Sequence, residues 1–246
     1  DPPILNIQSG VTLKFPKDKY LQVGTSDVNM SGALRAKGVT FTVTDTAGAS
    51  YWAGIDFYEG DVADSTVLDS NIIEYAATGV EIHNNDMPYI YNNTIRYCRD
   101  YGIYGGNTAW AYAVGNTLLE NRTAISVTAP QIDSTLYSNT YTDNTNNYIE
   151  VRSGTNHRLS TAAKVYDWLK DGAPYVLNDH LYVYKDAADG NDPPILNIQS
   201  GVTLKFPKDR RLQIGDENSA GAVHAKRVTF TLGGNDGTWS GIELND

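Results

Sequence analysis

The middle of the chain repeats itself with an internal period of about 23 residues. An asparagine that opens a strand-like run recurs with spacings of 22, 23 and 23 residues, at Asn71, Asn93, Asn116 and Asn139. An aliphatic series advances in step with it, at Ile55, Val80, Ile103, Ile125 and Ile149. A third apolar series precedes each asparagine by three residues, at Leu68, Ile90, Ala113 and Leu136. A period this short has no room for a strand, a helix and a second strand, so it predicts three short β-strands per period.

This period has a direct physical interpretation if each repeat is one turn of a coil. Equivalent positions then stack at the inter-strand spacing of about 4.8 Å, the strands form parallel sheets, and the aliphatic series become internal columns. The asparagine series predicts a ladder in which each side-chain amide bonds to the asparagines above and below it. Asparagine also tolerates a left-handed conformation, so we expect each of these residues to form the bend between two strands. The alternative is four unrelated asparagine-rich surface turns, which would leave the common step of the three series unexplained.

A longer repeat surrounds the shorter one. The first eighteen residues, DPPILNIQSGVTLKFPKD, return unchanged at positions 192–209, and the similarity continues in weaker form to the last residues of the chain. We therefore predict a module of 191 residues followed by the first part of a second module. Asp1 lies inside a strand-like pattern, so we expect the N-terminus to be a processed or cut end.

The module division predicts three regions. Residues 1–151 are the β-helix coils of the first module, 152–173 are an inter-module segment, and 174–246 are the first coils of a truncated second module. The stretch LSTAAKVYDWLKDGA (159–173) predicts a short helix in the inter-module segment. Ser160 or Thr161 would cap this helix, Gly172 and Pro174 would end it, and its apolar face would be formed by Ala162, Val165, Trp168 and Leu169.

Composition excludes several classes of function. A hydrophobic content of 41% supplies a core, whereas no run of about 18 apolar residues predicts a membrane span. The net charge of -10 argues against nucleic acid and anionic lipid as partners. Cys98 is the one cysteine, so neither an internal disulfide nor a cysteine-based zinc site can form. The 17 tyrosines, with many Asn, Thr and Gly residues, favour an extracellular or cell-surface location for this β-rich chain.

Several segments resemble a known family. NNTIRYC, GIYGGN and GNTLLEN resemble the repeats of right-handed parallel β-helix proteins of the pectate-lyase-like type. LNIQSGVTLKF, GALRAKGVTFT and YWAGIDF resemble the first coils of β-helix domains in large bacterial and archaeal surface proteins. The resemblance covers most of the chain and implies an all-β, right-handed parallel β-helix, with a helix after its last coil. It implies no single function, because this scaffold carries lyases, hydrolases, epimerases, adhesins and phage fibres.

Enzymes of the resembled class cluster carboxylates with basic residues on one outer face of the coil. The corresponding candidates on neighbouring coils of this chain are Asp56, Glu81, His83 and Asp86. Asp56 and Glu81 occupy the same coil position, in a series that continues with Tyr104, Ser126 and Glu150. Two stacked carboxylates could serve acid–base chemistry or bind Ca²⁺, or they could simply face solvent. The Asp-Pro-x-His motif of the resembled epimerases and of some lyases is absent, and no catalytic set is predicted.

Other candidate sites are isolated. The acidic loop DAADGND could bind Ca²⁺ through Asp186, Asp189 and Asp192, although it lacks the distal Glu of an EF-hand loop and also fits a polar turn. No other cofactor is expected. Glycosylation sequons begin at Asn29, Asn92 and Asn121, of which we expect the last two to lie in exposed turns. Trp110 and Tyr112 could stack on surface glycans, or could pack against the coils.

The near-verbatim duplication, without a catalytic set, favours a structural function. We expect a tandem-repeat segment of an extracellular filament, stalk, sheath or adhesin that assembles head-to-tail with copies of itself. The alternatives are a carbohydrate-active β-helix enzyme, either a polysaccharide lyase or a hydrolase, and a glycan-binding module.

Overall fold

The computed structural model describes residues 3–25, 27, 31–45, 50–58, 66–83, 88–106, 111–152, 158–185, 192–234 and 237–245. The chain forms two compact units. Unit 1 contains Asp1–Ser126 and Tyr137–Tyr148, and unit 2 contains Val127–Leu136 and Ile149–Asp246. The fold is the predicted all-β, right-handed parallel β-helix, with about eight turns. Within the described ranges, no helix is long and apolar enough to cross a membrane.

Each turn of unit 1 supplies three short strands, one to each of three parallel sheets. The first turns contain β1 (Ile4–Ile7), β2 (Thr12–Phe15), β3 (Tyr20–Val23), β4 (Ala33–Lys37), β5 (Thr40–Val43), β6 (Gly54–Phe57), β7 (Val67–Asp69), β8 (Ile72–Glu74) and β9 (Thr78–Ile82). The next turns contain β10 (Tyr89–Tyr91), β11 (Thr94–Arg96), β12 (Tyr101–Gly105), β13 (Tyr112–Val114), β14 (Thr117–Leu119), β15 (Thr123–Thr128), β16 (Leu136–Tyr137) and β17 (Thr140–Thr142).

Unit 2 is built in the same way. Its strands are β18 (Asn146–Arg152, shared with unit 1), β19 (Arg158–Leu159), β20 (Val165–Trp168), β21 (Tyr175–Leu177), β22 (Leu181–Val183), β23 (Ile195–Ile198), β24 (Thr203–Phe206), β25 (Arg211–Ile214), β26 (Ala222–Ala225), β27 (Thr229–Leu232) and β28 (Gly241–Leu244). Its three parallel sheets have the strand orders β18-β21-β24-β27, β19-β22-β25-β28 and β20-β23-β26. A 3-10 turn at Ala129–Gln131 precedes them.

The aliphatic series forms the predicted internal column in unit 1. The strands are in register so that Ile55 pairs with Val80, Val80 with Ile103, and Ile103 with Ile125. All four side chains are completely buried. Ile149 is also fully buried, in unit 2, where it pairs with Tyr175. The predicted period of 23 residues holds between β6 and β15, but the average turn contains about 26 residues because others are longer.

The four ladder asparagines stack along one bend of the coil, between β7 and β8 and the equivalent strands of the following turns. Nδ2 of Asn71, Asn93 and Asn116 donates to Oδ1 of the next asparagine in the series, over 2.9, 3.1 and 3.1 Å. Each Nδ2 also donates to a backbone carbonyl of the preceding turn, as Asn93 does to Leu68 over 2.9 Å. The buried amides therefore satisfy one another and the backbone at the bend.

The left-handed bend was predicted on the wrong residue. The residues with positive φ stand one position before the ladder asparagines, at Ser70 (φ 57°), Asn92 (55°), Gly115 (68°) and Ser138 (58°). The reason is geometric, because the bend residue points outward while the residue after it projects its amide into the coil. Small and polar residues tolerate this exposed left-handed position.

The predicted helix at 159–173 is also wrong. Its central residues form β20, which pairs in parallel with β23 from Val165↔Ile195 to Trp168↔Ile198. Tyr166 and Trp168 are buried, whereas Val165 is 40% exposed, so burial alternates with a period of two. The residues before the strand form a turn in which Ala163 has a φ of 56°. Pairing with β23 overrides the local helical propensity of this segment.

Candidate functional site

The candidate site lies on the outer face of β6 and β9. These strands pair in register, so Asp56 on β6 stands directly opposite Glu81 on β9. Ile55 and Phe57 are completely buried. Since side chains alternate along a strand, burial of these neighbours turns the Asp56 carboxyl outward.

Glycine at the start of the strands allows this close stacking. Gly54 has a φ of 131°, and a Cβ there would collide with the carbonyl oxygen of Thr78. A Cβ on Gly79 would lie 2.6 Å from the carbonyl oxygen of Gly102, which is closer than real Cβ contacts allow. The glycines therefore let three consecutive turns approach one another beside the candidate site.

The structure brings three titratable side chains together at this point. One ligand atom from each of Asp56, Glu81 and His83 lies within 4.8 Å of the other two. His83 Nε2 is 3.6 Å from Glu81 Oε1. The ring of Tyr58 stacks on the imidazole of His83, with centroids 4.1 Å apart and an interplanar angle of 18°. All four side chains are half-buried, so the cluster is accessible from solvent.

Burial and charge make one carboxyl of the cluster unusual. Desolvation, and secondly the charge of Glu81, raise the pKa of Asp56 to about 6. The pKa of Tyr58 is also raised, mainly by desolvation and then by the charges of Asp56 and Glu81. A carboxyl with a pKa raised toward neutrality, beside a second carboxyl, is an arrangement that can serve acid–base chemistry. The same two carboxyl groups and the imidazole also offer ligand atoms that suit a divalent cation.

The match to a family comes from the coils that carry these residues. A family described as "Right handed beta helix region" matches residues 28–164, more than half of the chain. The chain belongs to this right-handed β-helix family. No curated protein and no solved structure gives a significant match.

Only some of the positions equivalent to Asp56 and Glu81 on later turns of this right-handed β-helix face solvent. Tyr104 on β12 is in register with Glu81, and Ser126 on β15 is in register with Tyr104. Ser126 is completely buried, so the series leaves the solvent-facing surface there. Glu150 is half-buried on β18, where it pairs with Val176. Asp86 lies outside the described residues. The accessible part of the candidate site is therefore formed by β6, β9 and the residues just after them.

Of the predicted Ca²⁺ and sugar-binding residues, the structure describes Asp192 and Tyr112. Asp192 is exposed, whereas Asp186 and Asp189 lie outside the described residues. Trp110 also lies outside the described part of the chain. Tyr112 stacks on Tyr89 of the preceding turn, with centroids 5.0 Å apart and an interplanar angle of 18°. One face of the Tyr112 ring is therefore covered by Tyr89.

The sequons differ in accessibility. Asn92 is exposed at a left-handed bend, with its Nδ2 3.3 Å from Asp69 Oδ1. Asn121, expected in an exposed turn, is instead 2% exposed. Its Nδ2 donates to Asn144 Oδ1 over 3.0 Å and to the carbonyl of Ile95 over 2.9 Å, so a glycan on this nitrogen would displace buried hydrogen bonds. Asn29 lies outside the described residues.

The sequence reasoning missed two features of this right-handed β-helix. One is Tyr58, which follows β6 and covers His83. The other is a second, shorter ladder formed by Asn121 and Asn144, where Asn121 Oδ1 also accepts the N–H of Cys98 over 3.0 Å. These three ladder positions are 23 residues apart, so the period contained the signal for the second ladder. No comparable sequence signal marks Tyr58.

Proposed function

We propose that the chain is a structural segment of an extracellular filament, stalk, sheath or adhesin, in which β-helix modules continue one another. The supporting observation is the junction inside unit 2. The second copy of the repeated segment pairs with the turn before it along all three sheets, β23 with β20, β24 with β21, and β25 with β22. Leu196, Leu204 and Leu212 are completely buried there. A new module thus begins without an interruption in strand pairing.

Polar contacts set the register of this junction. Asn197 Nδ2 donates to Asp167 Oδ1 over 3.0 Å, and Arg210 Nε forms an ion pair with Asp179 Oδ1 over 2.8 Å. The backbone N–H of Ile195 donates to the carbonyl of Lys164 over 2.9 Å. Apolar burial supplies most of the stabilisation at such a contact, while the directional bonds exclude a slipped register.

A junction of this kind makes length additive. In a solenoid each turn contacts its neighbours, so added modules extend the structure in one direction. With about 26 residues per turn, a 191-residue module adds roughly seven turns. At about 4.8 Å per turn, that is roughly 35 Å of length for each module.

The test is a series of chains that contain one, two and three 191-residue modules. Small-angle scattering should show the maximum dimension growing linearly, by about 35 Å per module. The matched control places Leu196→Arg and Leu212→Arg at the equivalent positions of every junction, which puts charges into its buried contacts and should uncouple the modules. If the native series does not grow by about 35 Å per module, or if the control series grows in the same way, the proposed structural function is wrong.

A second candidate function is that of a carbohydrate-active enzyme, a polysaccharide lyase or hydrolase. The observation that favours it is the cluster of Asp56, Glu81 and His83, with the raised pKa of Asp56. Acidic and neutral polysaccharides would be incubated with the chain and assayed for unsaturated and reducing ends. Product formation that is lost in Glu81→Gln and kept in Glu120→Gln, an exposed control, would assign this activity. Absence of product from every polymer would count against it.

A further inference from the structure

Strands β6 and β9, with the residue that follows each of them, present four polar side chains on one outer surface. Asp56 is in register with Glu81. Two positions further along, the backbone N–H of His83 donates to the carbonyl of Phe57 over 2.8 Å, so Tyr58 and His83 continue the pairing beyond the ends of the strands. Because side chains two positions apart on a strand share a face, the two carboxyl groups and the imidazole project from the same surface.

The two carboxyl groups of this surface lack the counter-charge that a neighbouring carboxylate has. Glu74 on β8 forms an ion pair with Arg96 over 2.7 Å. Within the described residues, neither Asp56 nor Glu81 forms an ion pair with a lysine or an arginine. Like charges that stand directly opposite each other on paired strands destabilise the pair. The position between the two carboxyl groups therefore favours a bound cation.

The ligand atoms fit a transition metal better than Ca²⁺. One oxygen of each carboxyl group and one imidazole nitrogen lie within 4.8 Å of one another, and Nε2 of His83 is 3.6 Å from Oε1 of Glu81. Two ligands held tetrahedrally at about 2.0–2.2 Å from Zn²⁺ are about 3.4 Å apart, which is close to this separation. Ca²⁺ takes about 6–8 oxygen ligands, whereas imidazole suits zinc. Two carboxyl groups with an imidazole therefore favour Zn²⁺.

The surroundings of His83 hold its ring in place and leave it accessible. The ring of Tyr58 stacks on the imidazole, with centroids 4.1 Å apart, and so limits its rotation. On the next turn Gly105 is in register with Ile82, so the position beside His83 is Gly106, which has no side chain to cover the imidazole. The side chains of His83 and Glu81 are 29% and 33% exposed, so an ion can enter from solvent and keep water as a further ligand.

We propose that Asp56, Glu81 and His83 bind one Zn²⁺ ion, through one oxygen of each carboxyl group and through Nε2 of His83, with water completing the coordination. The ion supplies the missing counter-charge and links two adjacent turns of unit 1. This site goes beyond the proposed structural function, which rests on the module junction in unit 2. It shares its residues with the second candidate function but needs no catalysis, so it can be tested without a substrate.

The test is isothermal titration calorimetry of the untagged chain with Zn²⁺, after dialysis against a chelator. We expect one ion per chain, and binding of Ca²⁺ that is at least tenfold weaker. His83→Ala and Glu81→Gln should each lower the affinity for Zn²⁺ at least tenfold, because each removes a ligand. The matched controls are His224→Ala and Glu120→Gln, which change exposed residues elsewhere and should leave zinc binding as it is in the unaltered chain.

A cobalt titration of the unaltered chain covers the case in which a variant does not fold. Co²⁺ can occupy the same ligand set, and its visible absorption reports the coordination geometry. We expect a saturable tetrahedral spectrum that an excess of Zn²⁺ removes. The proposal is overturned if zinc binding does not saturate, if both ligand variants bind zinc as the unaltered chain does, or if Ca²⁺ binds as tightly as Zn²⁺. Linear growth of the tandem-module series would still support the proposed structural function in each of these cases.

Discussion

Replacement of Asn116 by alanine tests the contribution of the asparagine ladder to stability. The side chain of Asn116 is completely buried. Its Nδ2 donates to the carbonyl of Ile90 over 2.8 Å and to Asn139 Oδ1 over 3.1 Å. Its Oδ1 accepts from the backbone N–H of Asn93 over 2.9 Å and from Asn93 Nδ2 over 3.1 Å. Asn116→Ala removes all four bonds at one position.

The magnitude follows from the groups left behind. The N–H of Asn93 and the carbonyl of Ile90 lose these partners inside the coil, where an unsatisfied polar group costs about 1–3 kcal/mol. Two such groups together predict a loss of about 3–5 kcal/mol from unit 1, since some relaxation of the bend is expected. The matched control is Asn146→Ala. Asn146 is half-buried and donates to Thr123 Oγ1 over 2.9 Å, so its replacement should cost about 1 kcal/mol.

Hydrogen exchange is the suitable assay because the chain has two compact units and a single unfolding transition is not guaranteed. Peptides that cover 89–119 should exchange at least about 100-fold faster in Asn116→Ala than in the unaltered chain, as a loss of about 3 kcal/mol requires. The same peptides in Asn146→Ala should change by less than about tenfold. Equal exchange in the two variants would refute the energetic importance of the ladder.

Three further predictions concern other residues of unit 1. Because the folded-state pKa of Asp56 is raised to about 6, the protonated carboxyl stabilises the fold below about pH 4, and this contribution is lost as pH rises through 6. Asp56→Asn should therefore gain stability relative to the unaltered chain between pH 4 and 7, by about 1 kcal/mol after solvent screening, as measured by denaturant titration at each pH. Burial raises the pKa of Cys98 to about 12, so a thiol reagent at pH 8 should label it only after denaturant is added. Gly79→Ala should destabilise the coil by roughly 2–4 kcal/mol because of its 2.6 Å contact, whereas Gly234→Ala, with open space around it, should have melting behaviour close to that of the unaltered chain.

The internal columns could be predicted because the period records a contact that recurs at every turn. Ile55, Val80 and Ile103 occupy equivalent positions in successive turns. The same need for a buried aliphatic side chain therefore recurs in the sequence once per turn. The ladder could be predicted for the same reason. A residue type that recurs at a fixed spacing can be recognised in the sequence, because the local preferences of any one turn do not recur with that spacing.

Features that occur once were harder to predict. The segment around Trp168 has alanines, a capping residue and a terminal glycine, all of which favour a helix locally. Its alternating burial depends on β23, which lies about 30 residues further along the chain. The contact between Tyr58 and His83 likewise depends on how two turns end beside each other. Such tertiary pairings override local propensity, and a single occurrence leaves no period to reveal them.

The repeated segment shows why burial itself is not a property of a short sequence in this fold. Leu5 and Leu196 have identical neighbours for several residues on both sides, yet one is half exposed and the other is fully buried. Each turn supplies one layer of a core that is completed only by the turns above and below it. An apolar pattern therefore specifies which side chains point inward. Whether those side chains are buried depends on the presence of an adjacent turn.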